Sequence, residues 1–262
     1  MVEGTNIMDS TLKDKVVIVT GAGGGIGAAS SAIFAAAGAR LVISDISEAI
    51  AASTLESVRA LGAEATVIAA DVSSEDSVRH LVEKTVATYG RLDGAFNNAG
   101  VEQQNTALTD LTLEQWERCI RIDLTGVFLC IKHQVPAMLR SGGGSIVNTS
   151  SGLGKLAIPN ACEYIAAKHG VLGVTRAAAI EFGARGIRVN AILPGITRTP
   201  LIARLSEDPN LAAFFNQLKL RHAMHRFAEP AEIGEAAKWL LSDGASFVNG
   251  EAMAVDGGFL AN

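Results

Sequence analysis

The chain's 262 residues carry a formal net charge of −5, with 48% hydrophobic and 19% charged side chains. A chain of this length buries a sizeable core, and the composition excludes a disordered one. The acidic balance, without a run of five like charges, points away from nucleic acid as a partner.

Short β-branched runs alternate along the chain with Ala-rich amphipathic stretches. Strands are predicted at Lys15–Thr20, Arg40–Asp45, Ala65–Asp71, Leu92–Asn97, Ser145–Thr149, Ile187–Leu193 and Ala252–Val255. Helices are predicted over about 25–38, 47–61, 74–89, 112–139, 161–184 and 230–242. Strand–helix alternation with right-handed crossovers gives an α/β fold: a Rossmann-type, doubly wound parallel sheet of about seven strands, covered on both faces. Without a linker or an internal repeat, 1–262 reads as one domain. The first fourteen residues lack an apolar core for a secretory signal, and no uncharged apolar stretch reaches about 18 residues. The expectation is therefore a cytoplasmic protein without a membrane partner. Cys119, Cys130 and Cys162 have neither disulfide-framework nor zinc-ligand spacing and read as buried thiols, with no metal implied.

The first strand runs into Thr20-Gly21-Ala22-Gly23-Gly24-Gly25-Ile26-Gly27, followed by an Ala-rich helix. A tight turn without Cβ atoms, opening onto free N–H groups at a helix N-terminus, suits a pyrophosphate. The glycines are dense enough to fit several fingerprints: G-x-G-x-x-A through Gly23, Gly25 and Ala28, and T-G-x-x-x-G-x-G through Gly21, Gly25 and Gly27. Asp45 closes the second strand, where a carboxylate accepts hydrogen bonds from an adenosine ribose and repels the 2′-phosphate of NADP. The alternative is a helix cap before Ile46-Ser47. Asp71 ends the third strand and, with Val72, could meet the adenine edge, although Ser73 and Asp76 form a capping-box-like start to the next helix.

Further along, Tyr164 and Lys168 stand four apart, which stacks them on one helix face. A phenol titrates near pH 10, and a fixed ammonium beside it lowers that value toward a working range. The segment 195–225 is longer than an ordinary βα connection and carries Leu201, Ile202, Leu205, Phe214, Phe215 and Leu218. It reads as a substrate lid at the carboxyl edge of the sheet, or simply as a small buried helix pair.

Together these residues resemble the short-chain dehydrogenase/reductase family, from about Lys13 to Gly258. The resemblance rests on Thr20–Gly27, Asn97-Asn98-Ala99-Gly100, Ser151 thirteen residues before Tyr164, and Tyr164-x-x-x-Lys168. It rests also on Pro194-Gly195 with Thr199 after it, and on Asp256-Gly257-Gly258. It implies an NAD-dependent oxidoreductase moving a hydride between the cofactor and a secondary alcohol or ketone. Tyr164 would handle the proton, Lys168 would hold the nicotinamide ribose and lower the tyrosine pKa, and Ser151 would hydrogen-bond the substrate oxygen. Gly21, Gly24, Gly25, Ile26, Gly27, Asp45, Asp71 and Val72 would line the adenosine and pyrophosphate end. Asn98, Ala99 and Gly100 would wall the adenosine ribose, and Pro194, Gly195, Ile196 and Thr199 would face the nicotinamide. The family's usual Asn in the fourth helix is here Asp123, in Asp123-Leu124-Thr125-Gly126; it is carried over as a catalytic position whose effect on the tyrosine is open.

Leu153, Leu156 and Ile158, with the lid residues, imply an apolar pocket for a small cyclic alcohol, a hydroxysteroid or a dihydrodiol. His222, His225 and Arg226 would face a substrate carboxylate, or lie at the surface or an interface. Small residues in the fifth helix (Ala166, Ala167, Gly170, Gly173 and Ala177–Ala179) fit the homotetramer common in the family. Rival readings are a 3-oxoacyl carrier-protein reductase-like ketoreductase and a nucleotide-sugar epimerase, whose fingerprint Gly21, Gly24 and Gly27 also satisfy. A methyltransferase gives no reason for Ser151, Tyr164 and Lys168. A catalytically silent NAD-binding sensor would have lost part of that set.

Overall fold

A computed structural model describes residues 11–206 and 211–261. Its seven strands are β1 (Val16–Thr20), β2 (Arg40–Ser44), β3 (Ala65–Val67), β4 (Gly94–Asn97), β5 (Gly144–Thr149), β6 (Ile187–Pro194) and β7 (Ala252–Val255). All pair in parallel, in the order β3-β2-β1-β4-β5-β6-β7. The helices are α1 (Gly25–Ala36), α2 (Glu48–Ala60), α3 (Glu75–Tyr89), α4 (Leu113–Cys119), α5 (Gly126–Arg140), α6 (Cys162–Phe182), α7 (Pro200–Ser206), α8 (Ala212–Leu220) and α9 (Pro230–Leu241). Among these residues no helix is long and apolar enough to cross a membrane.

Strand pleating sorts the apolar residues into two cores. Val17, Val19, Leu41, Ile43, Phe96 and Val147 point to one face, where they meet Phe34 of α1, Val58 of α2 and Ile233 and Leu240 of α9. Ile18, Val42, Ala95 and Ile146 point to the other, against Leu81 of α3, Ile131 and Met138 of α5, and Val171 and Ala178 of α6. Burial on both faces is why β1, Val-Val-Ile-Val-Thr, reads as an unbroken apolar run rather than an alternating one.

The third strand is shorter than expected, ending at Val67 rather than Asp71. It is the sheet's edge and pairs only with β2, and after Val67 the chain turns inward to bury Val72 beneath Gly126, where a Cβ would lie 2.9 Å from Val72 Cγ2. Larger is the break in the helix expected over 112–139. Its 3.6-residue periodicity is interrupted by a π-helical turn, Ile120–Thr125, between α4 and α5. Asp123 lies in that turn and is fully buried.

The expected cap at Ser73 falls one residue later. The Ser74 hydroxyl accepts from the Ser77 N–H at the start of α3. Within 195–225 the chain forms α7 and α8, with Phe215 buried against Phe227 and Phe214 exposed. Residues 1–10, 207–210 and 262, and the side chains of Leu201 and Ala212, lie outside the described residues.

Candidate active site

Because every strand is parallel, Thr20, Asn97, Thr149 and Pro194 end on one edge of the sheet. Strand order reverses between β1 and β4, which opens a crevice at that edge. The glycine turn enters it. Gly21 and Gly25 take positive φ (62° and 51°), and α1 starts at an N-cap glycine, Gly24, that offers no side-chain hydrogen bond. A Cβ on Gly24 would meet nothing within 4 Å, so that turn is open to the crevice. A Cβ on Gly27 would lie 2.2 Å from the Gly21 carbonyl oxygen, so only glycine permits this approach of helix to turn.

Asp45 does not cap the following helix. Its Oδ2 accepts from the Gly23 N–H (2.9 Å) and its Oδ1 from the Ile46 N–H (2.8 Å), which ties the end of β2 to the glycine turn. Asp71 turns back on its own loop, Oδ1 accepting from both the N–H and the hydroxyl of Ser73. Val72 is buried against Val78, Leu129 and Cys130. Across the crevice, the Thr20 hydroxyl accepts from the N–H groups of Asn98 (3.0 Å) and Ala99 (3.1 Å), while Asn98 Nδ2 donates to the Thr20 and Gly21 carbonyls. A Cβ on Gly25 would come within 3.2 Å of Thr199 Cγ2, so the 194–199 loop and the glycine turn stand face to face.

The chemical groups converge beside this turn. Ser151 caps a short 3₁₀ turn, Gly152–Gly154, with its hydroxyl accepting from Leu153 N–H (3.1 Å), and stands beside the Tyr164 phenol. Lys168, one turn along α6, places Nζ 5.3 Å from the Tyr164 ring centroid. That ammonium donates to the Thr149 carbonyl at 3.2 Å and pairs with Asp123 Oδ2 at 3.1 Å. Asp123 Oδ1 accepts from Val101 N–H at 2.7 Å, and a Cβ on Gly100 would crowd both partners of the pair. The π-helical turn thus carries a carboxylate into a contact with the catalytic helix that regular helical spacing did not foretell.

Burial opposes the charge on Lys168, yet Asp123 and Tyr164 beside it hold the ammonium above its usual range. The phenol behaves otherwise than expected. Burial pushes Tyr164 up, Lys168 and Ser151 pull it back, and Asp123 adds to the upward push, so the phenol stands above its ordinary value. Asp123 is therefore the local opponent of Lys168 in setting that proton.

Other features escaped the sequence. A buried amide chain, Gln134–Asn97–Asn148–Thr175, joins α5 to α6 through the sheet by bonds of 2.8–3.1 Å. The apolar flanks of Asn97 and Asn148 mark them as core positions that need partners, but only the register pairing them across β4 and β5 names those partners. Glu163, fully buried next to Tyr164, accepts from the Gln104 N–H and so holds the loop after Gly100. His222 is 1% exposed, neither a surface residue nor an anion receptor. Arg226 turns both ends of its guanidinium onto Glu232 at 2.7 Å, leaving no fork for a substrate carboxylate. All three cysteines are free; Cys119 and Cys130 are buried, with burial pushing each thiol up to about 12, while Cys162 is half-buried. Among the described residues no cluster of His, Cys, Asp and Glu is arranged to hold a metal ion.

Comparison with known proteins bears on this geometry. A family model described as enoyl-(acyl carrier protein) reductase matches residues 21–260. The chain is 44% identical over 254 residues to the 2,5-dichloro-2,5-cyclohexadiene-1,4-diol dehydrogenase of Sphingobium indicum, covering 96% of this chain and 99% of that one. It is 40% identical to the cyclohexanol dehydrogenase of an Acinetobacter species, over 97% and 98% of the two chains. Carveol dehydrogenase from Mycobacterium avium, solved in complex with NAD, superposes with a TM-score of 0.90 at 33% identity, over 97% of this chain and all of that one.

Proposed function

The chain belongs to the short-chain dehydrogenase/reductase family and is an alcohol dehydrogenase of that family, and from this premise we propose that it oxidises small apolar cyclic secondary alcohols or diols with NAD. The observation that carries the reading is one convergence. The Tyr164 phenol, beside Ser151 and faced by the Lys168 ammonium, stands at the crevice entered by an uncapped glycine turn. That turn fits a dinucleotide: the space at Gly24 is open, the first N–H groups of α1 have no side-chain cap, and each Asp45 oxygen keeps a lone pair for a ribose hydroxyl. A carboxylate there disfavours a 2′-phosphate, which supports NAD over NADP. When bound, oxidised NAD supplies the hydride acceptor.

In this reading Tyr164, as phenolate, takes the proton from the carbinol oxygen. Ser151 donates to that oxygen and steadies it as its charge changes. Lys168 stabilises the phenolate, and Asp123 with the Thr149 carbonyl fixes where the ammonium sits. Gly21, Gly24, Gly25, Ile26 and Gly27 cradle the pyrophosphate. Asp45, Val72 and the Asn98–Gly100 wall flank the adenosine, with Asp71 a weaker contact because its carboxylate is engaged by Ser73. Pro194, Gly195, Ile196 and Thr199 form the nicotinamide side, and Leu153 borders the substrate.

Residues 195–225 serve as the lid on one domain, and free thiols accord with a reducing cytoplasm. A groove of about 740 Å³ between α5 and α6, lined by Phe128, Ile131, Val135, Val174, Ala178 and Phe182, supports a homotetramer packed through these helices. Exposed Ile180 and Phe128 beside it suit burial in such a contact.

The test is NADH formation by absorbance over a panel of cyclohexanol, cyclohexanediols and a hydroxysteroid, with NAD and NADP. Turnover of a cyclic alcohol with NAD supports the reading. Turnover only of acyl thioesters with NADPH would replace it with a ketoreductase, and tight NADH binding with no turnover would favour the silent sensor.

A further inference from the structure

His222 joins three parts of the site that are far apart in sequence. Its Nδ1 lies 3.1 Å from the Leu218 carbonyl of α8, a partner that only accepts, so Nδ1 carries the proton. The other nitrogen is then an acceptor, and Nε2 receives the Ile196 N–H at 3.2 Å, in the loop that follows β6. The ring is 1% exposed and lies edge-on to Phe227 at 6.1 Å and tilted over Phe259 at 5.3 Å. Phe259 in turn covers Gly152, the residue after Ser151, where a Cβ would meet its ring at 3.1 Å.

Two glycine-dependent turns make this seat. A Cβ on Gly195 would fall 2.9 Å from His222 Nε2 and 2.9 Å from Asp256 Cα, so the loop reaches the imidazole only as glycine. The Asp256 carboxylate accepts from the N–H groups of Gly258 and Leu260, and Gly257 and Gly258 take positive φ; this turn presents Phe259 to the ring. Met224 N–H donates to the Gly257 carbonyl and closes the link between the end of the lid and the turn.

We propose that His222 is a positioning residue that locks the 194–199 loop to the lid and, through Phe259, to the Ser151 turn. The cofactor's nicotinamide side and the substrate-oxygen side then hold one relative placement. The proposal rests on the reading of 194–199 as the nicotinamide loop. In its favour, the imidazole meets that loop, α8 and the tail at once, with both nitrogens used and no contact to Tyr164 or Lys168 among those described. A purely space-filling ring at this position would need no acceptor.

The experiment compares wild type with His222→Phe, which keeps an aromatic ring but no acceptor, and His222→Gln, whose carbonyl can reach the Nε2 position. Hydrogen exchange at the Ile196 amide, NADH affinity by fluorescence and thermal midpoint are read for each. His222→Phe is expected to lose Ile196 protection and weaken NADH binding about three- to tenfold, the range of one lost hydrogen bond. His222→Gln should recover much of both. If both variants keep Ile196 protection and wild-type NADH affinity while only the thermal midpoint falls, His222 is packing alone and the proposal is wrong. Tighter NADH binding by His222→Phe would also overturn it. Should His222→Phe not fold, unchanged protection and affinity in His222→Gln carry no loss to explain, and the decision passes to Phe259→Leu. That variant must lower kcat on a turned-over alcohol with NADH affinity kept, and the opposite split contradicts the link. If wild type binds NADH but oxidises no alcohol, the substrate reading fails while Ile196 protection and NADH affinity still decide the role of His222.

Discussion

The two sides of the crevice are built on different principles. On the side of β1 and β2, the groups offered to a ligand are backbone N–H groups and one carboxylate, and side chains matter mainly by being absent: Gly27 because its Cβ would strike Gly21, Gly24 because it leaves α1 uncapped. On the side of β5 and α6, the working groups are side chains whose properties their neighbours set, a phenol pushed up by burial and Asp123 and pulled down by Lys168 and Ser151. A site made of backbone is robust to chemistry and fragile to shape. A site made of coupled side chains is the reverse.

The sharpest way to break this contrast is Tyr164→Phe. Removing one hydroxyl should cost about 10²- to 10⁴-fold in kcat while NADH affinity measured by fluorescence stays within twofold or so. A comparable loss of NADH binding would mean the two sides are not separable. Next is cofactor choice. Asp45→Ser removes the charge that disfavours a 2′-phosphate and an acceptor for the ribose, and the ratio of kcat/KM for NAD over NADP should fall about ten- to a hundredfold, with a lower thermal midpoint as its bonds to the Gly23 and Ile46 N–H groups are lost. A constant ratio would take Asp45 out of the adenosine pocket.

Asp123→Asn probes the coupled side. Oxidation needs the phenolate, so activity rises as pH passes the phenol's pKa. Asp123 raises that pKa, so its neutralisation should move the acid limb of kcat/KM to lower pH. Movement of the limb to higher pH would show instead that the carboxylate acts chiefly by keeping Lys168 charged. The smallest effect is expected away from both sides: Ser74→Ala removes the α3 cap and should lower unfolding free energy by about 1 kcal/mol in denaturant titration, with kinetics untouched.

This contrast also explains what the sequence disclosed. The glycine turn, Asp45 and the Tyr164–Lys168 spacing were legible because each depends on local geometry: a turn that excludes Cβ, a strand that ends at one edge, a helix that stacks residues four apart; Asn98–Gly100 came in only through the family resemblance. Asp123 entered through the family resemblance as a catalytic position with its effect on the tyrosine open, since the π-helical turn that sets its pairing with Lys168 leaves no mark on hydrophobic periodicity. His222 reads from sequence as a substrate-carboxylate, surface or interface residue, because nothing along the chain shows that α8 and the Phe259 turn close over it. The amide chain through Asn97 and Asn148 was invisible for the same reason, its partners being set by strand register and not by spacing along the chain.

That π-helical turn has one more consequence. An α-helix advances about 100° per residue, so one residue inserted between α4 and α5 rotates everything before it by about that angle relative to everything after. With the extra residue, α4 and Asp123 face α6 while α5 faces α3 and the sheet. Without it, one of the two faces would have to turn to solvent. The turn works as a phase shifter, letting a single stretch of chain serve two neighbours whose directions no uninterrupted helix could satisfy together.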